Sequence, residues 1–178
     1  FINNTLINNR SLDHSVFEIQ DKNNSIKMYG NIICMESTDD LAFNSEYDVN
    51  IDEKNNLFFN FTASGALSSL KLDDSDVIAK SVDLPFFLDI DLVDGAYITN
   101  LKDNGGFTPT VALKSDKLSD GRSIRFPRLE NVLTDQRGVE RLDSTCMGAY
   151  EMRCTGDTTF LRDTIFCGER FNDSVSAP

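Results

Sequence analysis

The sequence predicts an all-β fold in which short strands turn and stack on one another. The 178 residues contain 13 Phe and no Trp, and Asn and Asp recur throughout, a composition typical of strands and tight turns. Apolar segments of about four to six residues alternate with turn residues, and helical periodicity is nearly absent. An Asn-headed apolar segment also recurs at intervals of roughly 20–50 residues, the period of stacked repeat units.

The recurring segment is an Asn followed by a short apolar run. It occurs in "NNTLINN" (3–9), in "YGNIICM" (29–35) and, more weakly, in "NNLFFNFT" (55–62). Further strand candidates lie between these: "SVFEI" (15–19), "SIKMY" (25–29) and "YDVNI" (47–51). In a stack of turns, equivalent strands pair in parallel and equivalent asparagines hydrogen-bond in a ladder. Independent turns that share Asn, a good turn former, are the alternative, and both interpretations are all-β.

The stretch "DNGGFTPTVAL" (103–113) has the residues needed to end such a repeat. Asn104, Gly105 and Gly106 tolerate positive φ, and Pro109 removes a backbone donor and holds the preceding residue extended. A stack exposes strand edges at its ends, so its terminal turns must be irregular. We expect this stretch to end the repeat.

Two later segments are predicted packing devices. In "TDQRG", Asp135 is expected to accept backbone amides two residues on and Gly138 to supply a left-handed position, with Arg137 and Arg141 pairing with Glu140, Asp143 or other surface acids. In "GAYE", small residues would let Tyr150 lie flat over the last turn. The predicted structural cap comprises Asn104, Gly105, Gly106, Pro109, Asp135, Gly138, Gly148 and Tyr150.

Four motifs in order carry a family resemblance. "LKDNGGFTPTVAL", "SDKLSDG", "TDQRGVER" and "CMGAYE" resemble the C-terminal end of bacterial cell-surface right-handed parallel β-helix proteins, a group with polymorphic outer-membrane and autotransporter-like passengers and variable C-terminal anchors. The resemblance implies two to four turns of a right-handed parallel β-helix in residues 1–92, closed by an irregular C-terminal cap over 101–152. Residues 1–152 would be this domain, and 153–178 a linker or the truncated start of a following β-rich module.

The chain departs from this pattern in two places. "SDKLSDG" stands where the family has "SPAIDAG", with Ser119 in place of the Asp, and no Cys precedes "TDQRG". Cys146 therefore lacks its customary partner.

The four cysteines, Cys34, Cys146, Cys154 and Cys167, form no CxxC pair and are too few for a disulfide-built scaffold. Cys154 and Cys167 flank "TGDTTFLRDTIF", which a disulfide would close as a hairpin. Four unpaired thiols are the alternative, because spacing alone does not establish the required approach of the Cα atoms.

The formal charge of −12 limits the classes of partner. An acidic surface repels phosphate backbones and anionic lipid headgroups, so neither nucleic acid nor a membrane surface is expected. Cations, neutral glycans or host or cell-surface proteins fit better. No apolar run approaches the roughly 20 residues that span a bilayer. The chain opens on "FINNTLINN" without an initiator Met or signal peptide, which predicts a piece of a longer protein.

The acidic segment "LDIDLVDG" offers three candidate Ca²⁺ ligands, Asp89, Asp91 and Asp94. Carboxylate oxygens on a tight loop suit Ca²⁺, but the spacing differs from that of an EF-hand. Alternation instead predicts a solvated strand with Phe87, Asp89 and Asp91 on one face. No other cofactor is predicted.

The segment "KLDDSD" supplies Asp73, Asp74 and Asp76, the residue type that glycosidases use in pairs about 5–9.5 Å apart. A turn is the simpler interpretation. His14 is the only histidine and has no nucleophile motif beside it, so a triad is not expected and no catalytic residue is assigned.

The sequence therefore predicts a non-catalytic module of a secreted or outer cell-surface bacterial protein, acting as a structural or adhesive surface that contacts glycans or host proteins. The alternative is the C-terminal fragment of a polysaccharide lyase or glycoside hydrolase whose active site lies upstream. A row of aromatic and charged residues on successive turns would favour the enzyme, and the sequence lacks one.

Overall fold

The computed structural model describes residues 1–7, 15–35, 41–80, 84–93 and 96–153. Within these residues the fold is all-β, as predicted, and the helical structure amounts to one turn. The first nine strands are β1 Thr5–Ile7, β2 Ser15–Ile19, β3 Ser25–Tyr29, β4 Ile32–Cys34, β5 Leu41–Ser45, β6 Asn50–Lys54, β7 Leu57–Phe59, β8 Ala63–Gly65 and β9 Val77–Ala79. The helical turn α1 Leu84–Phe87 and the strands β10 Ile90–Val93, β11 Ala96–Thr99, β12 Arg125–Pro127 and β13 Ser144–Cys146 follow.

The first nine strands form three parallel sheets that the chain visits in turn. The first sheet has the order β1-β4-β7-β9, the second β2-β5-β8 and the third β3-β6. In the first sheet Leu6 lies opposite Ile33, which lies opposite Phe58. The three Asn-headed segments are therefore successive strands of one parallel sheet, and the predicted parallel pairing is present.

An asparagine ladder, formed by Asn4, Asn31, Asn56 and Asp76, runs across the start of this sheet. Asn4 Nδ2 donates to Asn31 Oδ1 at 3.2 Å, Asn31 Nδ2 to Asn56 Oδ1 at 2.8 Å and Asn56 Nδ2 to Asp76 Oδ1 at 3.2 Å. The same acceptors also take the backbone N–H of the preceding ladder residue, at 2.9, 3.0 and 2.6 Å. A carboxylate only accepts, so Asp76 ends the series.

The three sheets contribute residues to one apolar core. Ile33 and Phe58 come from the first sheet, Phe43 from the second and Met28 from the third, and all four are fully buried. Aromatic rings follow one another through the second sheet: Phe17 stacks on Phe43 with centroids 5.4 Å apart. Burial of such rings is a large apolar contribution to stability, with a further contribution from ring geometry.

The first sheet is buried on its other face as well. Ile32, Leu57 and Phe59 belong to a second core, together with Phe126 and Met147 from the C-terminal part of the chain. A sheet covered on both faces needs continuous apolar strands, which explains the runs "IIC" and "LFF".

The C-terminal segment lies along the side of the stack, not only at its end. Gly148 N donates to Gly30 O at 2.7 Å, Ala149 N to Thr5 Oγ1 at 3.0 Å and Asn3 Nδ2 to Cys146 O at 3.2 Å. These contacts reach the first and second turns of the stack, whereas the sequence analysis predicted that "GAYE" lies over its last turn. The apolar outer face of the first sheet requires this cover.

Among the described residues, the last parallel pairing ends at Ala79, before the predicted limit near Leu92. The helical turn α1 follows, and β10 and β11 form an antiparallel hairpin. The strand predicted to carry Phe87 begins only at Ile90, and Phe87 is buried in the second core at the end of α1. Sequence alternation was misleading there because the helical turn directs Phe87 inward.

Candidate functional site

The second sheet carries a set of polar side chains, which we call the polar face: Glu18, Asn44 and Ser64 on the strands, and Gln20, Glu46 and Tyr47 just after β2 and β5. Glu18 lies opposite Asn44, which lies opposite Ser64. Ser64 Oγ donates to Asn44 Oδ1 at 2.8 Å, and Gln20 Nε2 donates to Glu18 Oε1 at 3.0 Å. A shallow cavity of about 320 Å³ opens here, lined by Glu18, Ile19, Gln20, Asn44, Ser45 and Glu46.

The turn after β5 fixes one side of the polar face. Ser45 is buried, and its Oγ lies 3.0 Å from Ile19 O and accepts Tyr47 N–H at 3.0 Å. Tyr47 remains 38% exposed beside the exposed Glu46. The second sheet continues through Gly65, whose φ of 64° and closeness to the Ser45 carbonyl leave no space for a side chain.

The polar face combines carboxylate acceptors, amide groups and a partly exposed aromatic ring. Carboxylates and amides hydrogen-bond to hydroxyl groups, and a tyrosine ring offers an apolar face with a polar tip. This is the chemistry that a neutral polyhydroxylated ligand requires. The sequence identified Ser15–Ile19 and residues 47–51 as strand candidates, but it did not reveal that Asn44 and Ser64 share a face with Glu18.

The predicted acidic turn "KLDDSD" is present and contacts a carboxyl group that the sequence analysis missed. Asp76 N donates to Asp73 O at 2.9 Å, which closes the turn. Glu53, on β6, is 7% exposed, and its Oε1 accepts Asp73 N–H at 2.9 Å. Burial raises the pKa of Glu53 to about 9, and the carboxyl of Asp76 adds to this effect. The signal in the sequence was that Ile51 and Glu53 alternate onto the same face of one strand.

The candidate Ca²⁺ ligands are engaged by cationic and amide groups. Asp89 lies 2.8 Å from Lys102 Nζ and 3.8 Å from Lys114 Nζ, and the hydrogen bond from Lys102 lowers the pKa of Asp89. Asn100 Nδ2 donates to Asp91 Oδ2 at 3.0 Å. Asp94 lies outside the described residues. Among those described, no group of three or more His, Cys, Asp or Glu residues is arranged to hold a metal ion.

The "TDQRG" turn forms as predicted. Asp135 Oδ1 accepts Arg137 N–H at 2.8 Å, and Gly138 has a φ of 81°. Arg137 pairs with Asp135 at 2.6 Å and lies 3.6 Å above the ring centre of Tyr150. Tyr150 thus packs against the second core and also contacts an arginine through its ring.

The predicted surface partners of Arg141 are wrong, because this arginine is buried. Its Nη1 lies 3.3 Å from Glu151 Oε2, and its Nη2 donates to Gly148 O at 2.7 Å. Glu151 is fully buried and also accepts Thr145 Oγ1 and the Cys146 N–H at 3.1 Å. Nothing in the residue order indicates that Arg141 and Glu151 are close in space, so this pair was not predictable.

The "DNGGFTPT" loop is an exposed, internally bonded turn. Gly105 and Gly106 have φ values of 89° and 95°, and Asn104 Nδ2 donates to Thr110 O at 2.9 Å. Pro109 is exposed, and Phe107 projects fully into solvent. Positive φ is therefore present at both predicted glycines, while the loop itself covers little of the core.

Cys34 and Cys146 are buried free thiols. Burial raises the pKa of Cys146 to about 11 and also raises that of Cys34, which makes both poor nucleophiles. The disulfide candidates Cys154 and Cys167, and His14, lie outside the described residues. In the described parts of the chain, no helix is both long and apolar enough to cross a bilayer.

Comparison with known proteins identifies no relative: no family model, curated protein or solved structure matches the chain.

Proposed function

We propose that this chain forms part of a right-handed parallel β-helix in a secreted or outer cell-surface protein of a bacterium. In this proposal it is a non-catalytic module that stiffens the protein and displays an adhesive surface for glycans or for host or cell-surface proteins. Three features support the architecture: the parallel sheets visited in turn, the asparagine ladder, and the resemblance carried by residues 101–152. Residues 153–178 would lead into a following module.

The polar face is the observation that carries the functional part of the proposal. Glu18, Asn44 and Ser64 stand in one row across three parallel strands, and Tyr47 lies at the side. The row contributes nothing to the apolar core, and a linear glycan running across the strands would meet one polar residue per turn. The charge of −12 favours neutral glycans over sulfated or uronate-containing ones.

The test is binding of the purified chain to immobilised neutral glycans, compared with its Asn44→Ala and Tyr47→Ala variants. Asn50→Ala is the matched control, because Asn50 is an exposed strand residue of the third sheet. We expect binding weakened about tenfold by either polar-face variant and unchanged by the control, since one lost hydrogen bond costs roughly 0.5–1.5 kcal/mol and about 1.4 kcal/mol corresponds to a factor of ten in affinity. Equal binding by all four proteins would contradict the assignment.

The alternative function is a C-terminal fragment of a polysaccharide lyase or glycoside hydrolase. The observation that favours it is the carboxyl pair Glu53 and Asp76, since glycosidases use two carboxyl groups as acid and base. Glu53 Oε2 and Asp76 Oδ2 are, however, both shielded from solvent. Turnover of a neutral glycan that is lost in Glu53→Gln would establish the alternative and refute the non-catalytic proposal.

A further inference from the structure

Glu53 connects the edge of the third sheet to the acidic turn. That sheet contains only β3 and β6, so β6 has no further strand beside it among the described residues. Glu53 lies opposite the fully buried Met28 and points the same way, toward the core. Its Oε1 accepts Asp73 N–H at 2.9 Å, so the acidic turn takes the position that a third strand would occupy.

The four carboxyl oxygens of Glu53 and Asp76 divide into two that have donors and two that have none. Glu53 Oε1 accepts Asp73 N–H, while Asp76 Oδ1 accepts both the N–H and the Nδ2 of Asn56, at 2.6 and 3.2 Å. The remaining oxygens, Glu53 Oε2 and Asp76 Oδ2, are buried, and no described group donates to either. The acidic turn brings the two carboxyls together, because Asp73 N–H donates to Glu53 Oε1 at 2.9 Å and Asp73 O accepts Asp76 N–H at 2.9 Å, and the Asp76 side chain raises the pKa of Glu53. Two ionised carboxylates in such contact would repel, so one proton must lie between them.

We propose that Glu53 is protonated and donates this hydrogen to Asp76 Oδ2, forming a proton-dependent latch that fastens the acidic turn to the second turn of the stack. Asp76 is the acceptor of the pair, because its other oxygen already ends the asparagine ladder by accepting from two donors. The latch therefore joins the end of the ladder to the edge of the third sheet.

The charged groups on the acidic turn favour protonation of Glu53. Asp76 raises the pKa of Glu53 after the larger effect of burial, through its side-chain hydrogen bond and its negative charge. The Asp73 N–H lowers that pKa and the charge of the Asp73 carboxylate raises it, so the acidic turn acts on Glu53 chiefly through Asp76. The hydrogen bonds from Ser75 lower the pKa of Asp73, so Asp73 stays charged. Lys71 and Asp74 of the same segment are exposed.

The charged groups on the neighbouring strands do not reverse this balance. Lys54 is exposed and its charge acts on Asp73. Lys27 and Asp52 lie opposite each other in the register and alternate onto the face away from Glu53. Asp52 there accepts a hydrogen bond from Tyr29. Glu53 thus meets negative charge on one side and apolar core on the other.

The latch makes stability depend on pH with a definite sign. The pKa of Glu53 is about 9 in the folded protein, above its ordinary value of 4.5, so folding takes up a proton between these two values. The contribution is complete below about pH 4.5 and is lost progressively as the pH rises toward about 9. Within that window, titration of Glu53 increases the equilibrium constant for unfolding about tenfold for each pH unit.

The test is urea denaturation of the full chain between about pH 5.5 and about pH 8.5, compared with Glu53→Gln and with the exposed neighbour Asp74→Asn as matched control. The glutamine amide can donate to Asp76 Oδ2 without titrating. We expect the stability of Glu53→Gln to lose the pH slope of roughly one proton and to exceed that of the native protein at the alkaline end. Asp74→Asn should keep the slope.

A second measurement keeps the result interpretable. Infrared spectra at neutral pH should show a protonated carboxyl band in the native chain that is missing from Glu53→Gln. An unchanged pH slope in Glu53→Gln, or the absence of that band, would overturn the proposal. So would Ca²⁺ raising the melting temperature of the native chain but not of Glu53→Gln, because the pair would then hold a cation in place of a proton.

Discussion

Replacing Gly148 by Ala tests whether the C-terminal segment packs along the side of the stack. Gly148 has a φ of 85°, and a Cβ built there would lie 2.6 Å from Ile32 Cδ1 and 2.7 Å from Thr5 Oγ1. Ile32 is fully buried and cannot move freely. Thr5 Oγ1 accepts Ala149 N–H, so moving it would break that hydrogen bond.

Gly138 provides the matched control. Its φ is 81°, and a Cβ built there would meet no atom within 4 Å. Alanine at either position carries the same backbone cost, roughly 1–2 kcal/mol for a left-handed conformation. Only Gly148→Ala adds overpacking, which typically costs about 1–3 kcal/mol. We therefore expect Gly148→Ala to be the less stable variant by about 1–3 kcal/mol.

The measurement is urea denaturation of the two variants and the native chain, with unfolding monitored by circular dichroism. The slopes of free energy against urea should agree, and the transition midpoints should differ. At about 2–4 °C per kcal/mol for a chain of this length, the melting temperatures should differ by roughly 2–12 °C. Equal stability of Gly148→Ala and Gly138→Ala would refute the packing of this segment on β1 and β4.

Three other predictions follow from the buried polar groups. Asn31→Ala should cost about 1–3 kcal/mol of unfolding free energy, because the buried Asn56 and the half-buried Asn4 both lose hydrogen bonds; no loss relative to Asn50→Ala in urea denaturation would count against the ladder. Arg141→Met should cost about 3–5 kcal/mol, because it leaves Glu151 buried with one cation fewer; a change below about 1 kcal/mol would show that the pair is exposed. Cys146, with its pKa raised to about 11, should resist iodoacetamide in the folded protein at neutral pH and react once urea unfolds it, as followed by mass spectrometry; rapid labelling of the folded chain would contradict its burial.

Local patterns in the sequence predicted the parallel sheets and several of the turns that follow them. The Asn-headed apolar segments became β1, β4 and β7, because an apolar strand between polar corners has one stable way to pair with its repeats. The Asp135 turn and the positive φ at Gly105 and Gly106 were also predictable, since they depend on residues close in sequence. In each case the interaction that determines the structure joins residues close in the sequence or recurs from one repeat to the next.

The features that the sequence did not reveal depend on contacts distant in the chain. Glu53 became visible as a site only when Asp73 and Asp76, about 20 residues later, folded against it. Arg141 was expected at the surface because its neighbours are charged, yet the cover that the segment provides for the first sheet buries it with Glu151. The polar face likewise requires the register of three strands, which single-strand alternation does not specify.

The most direct test of the central claim, a non-catalytic binding surface on stacked parallel strands, is a nuclear magnetic resonance titration of the isotope-labelled chain with a neutral oligosaccharide, followed over days. We expect chemical shift changes at Glu18, Gln20, Asn44 and Ser64 and an oligosaccharide that remains intact. Cleavage of the oligosaccharide, or shift changes confined to residues remote from the polar face, would contradict it.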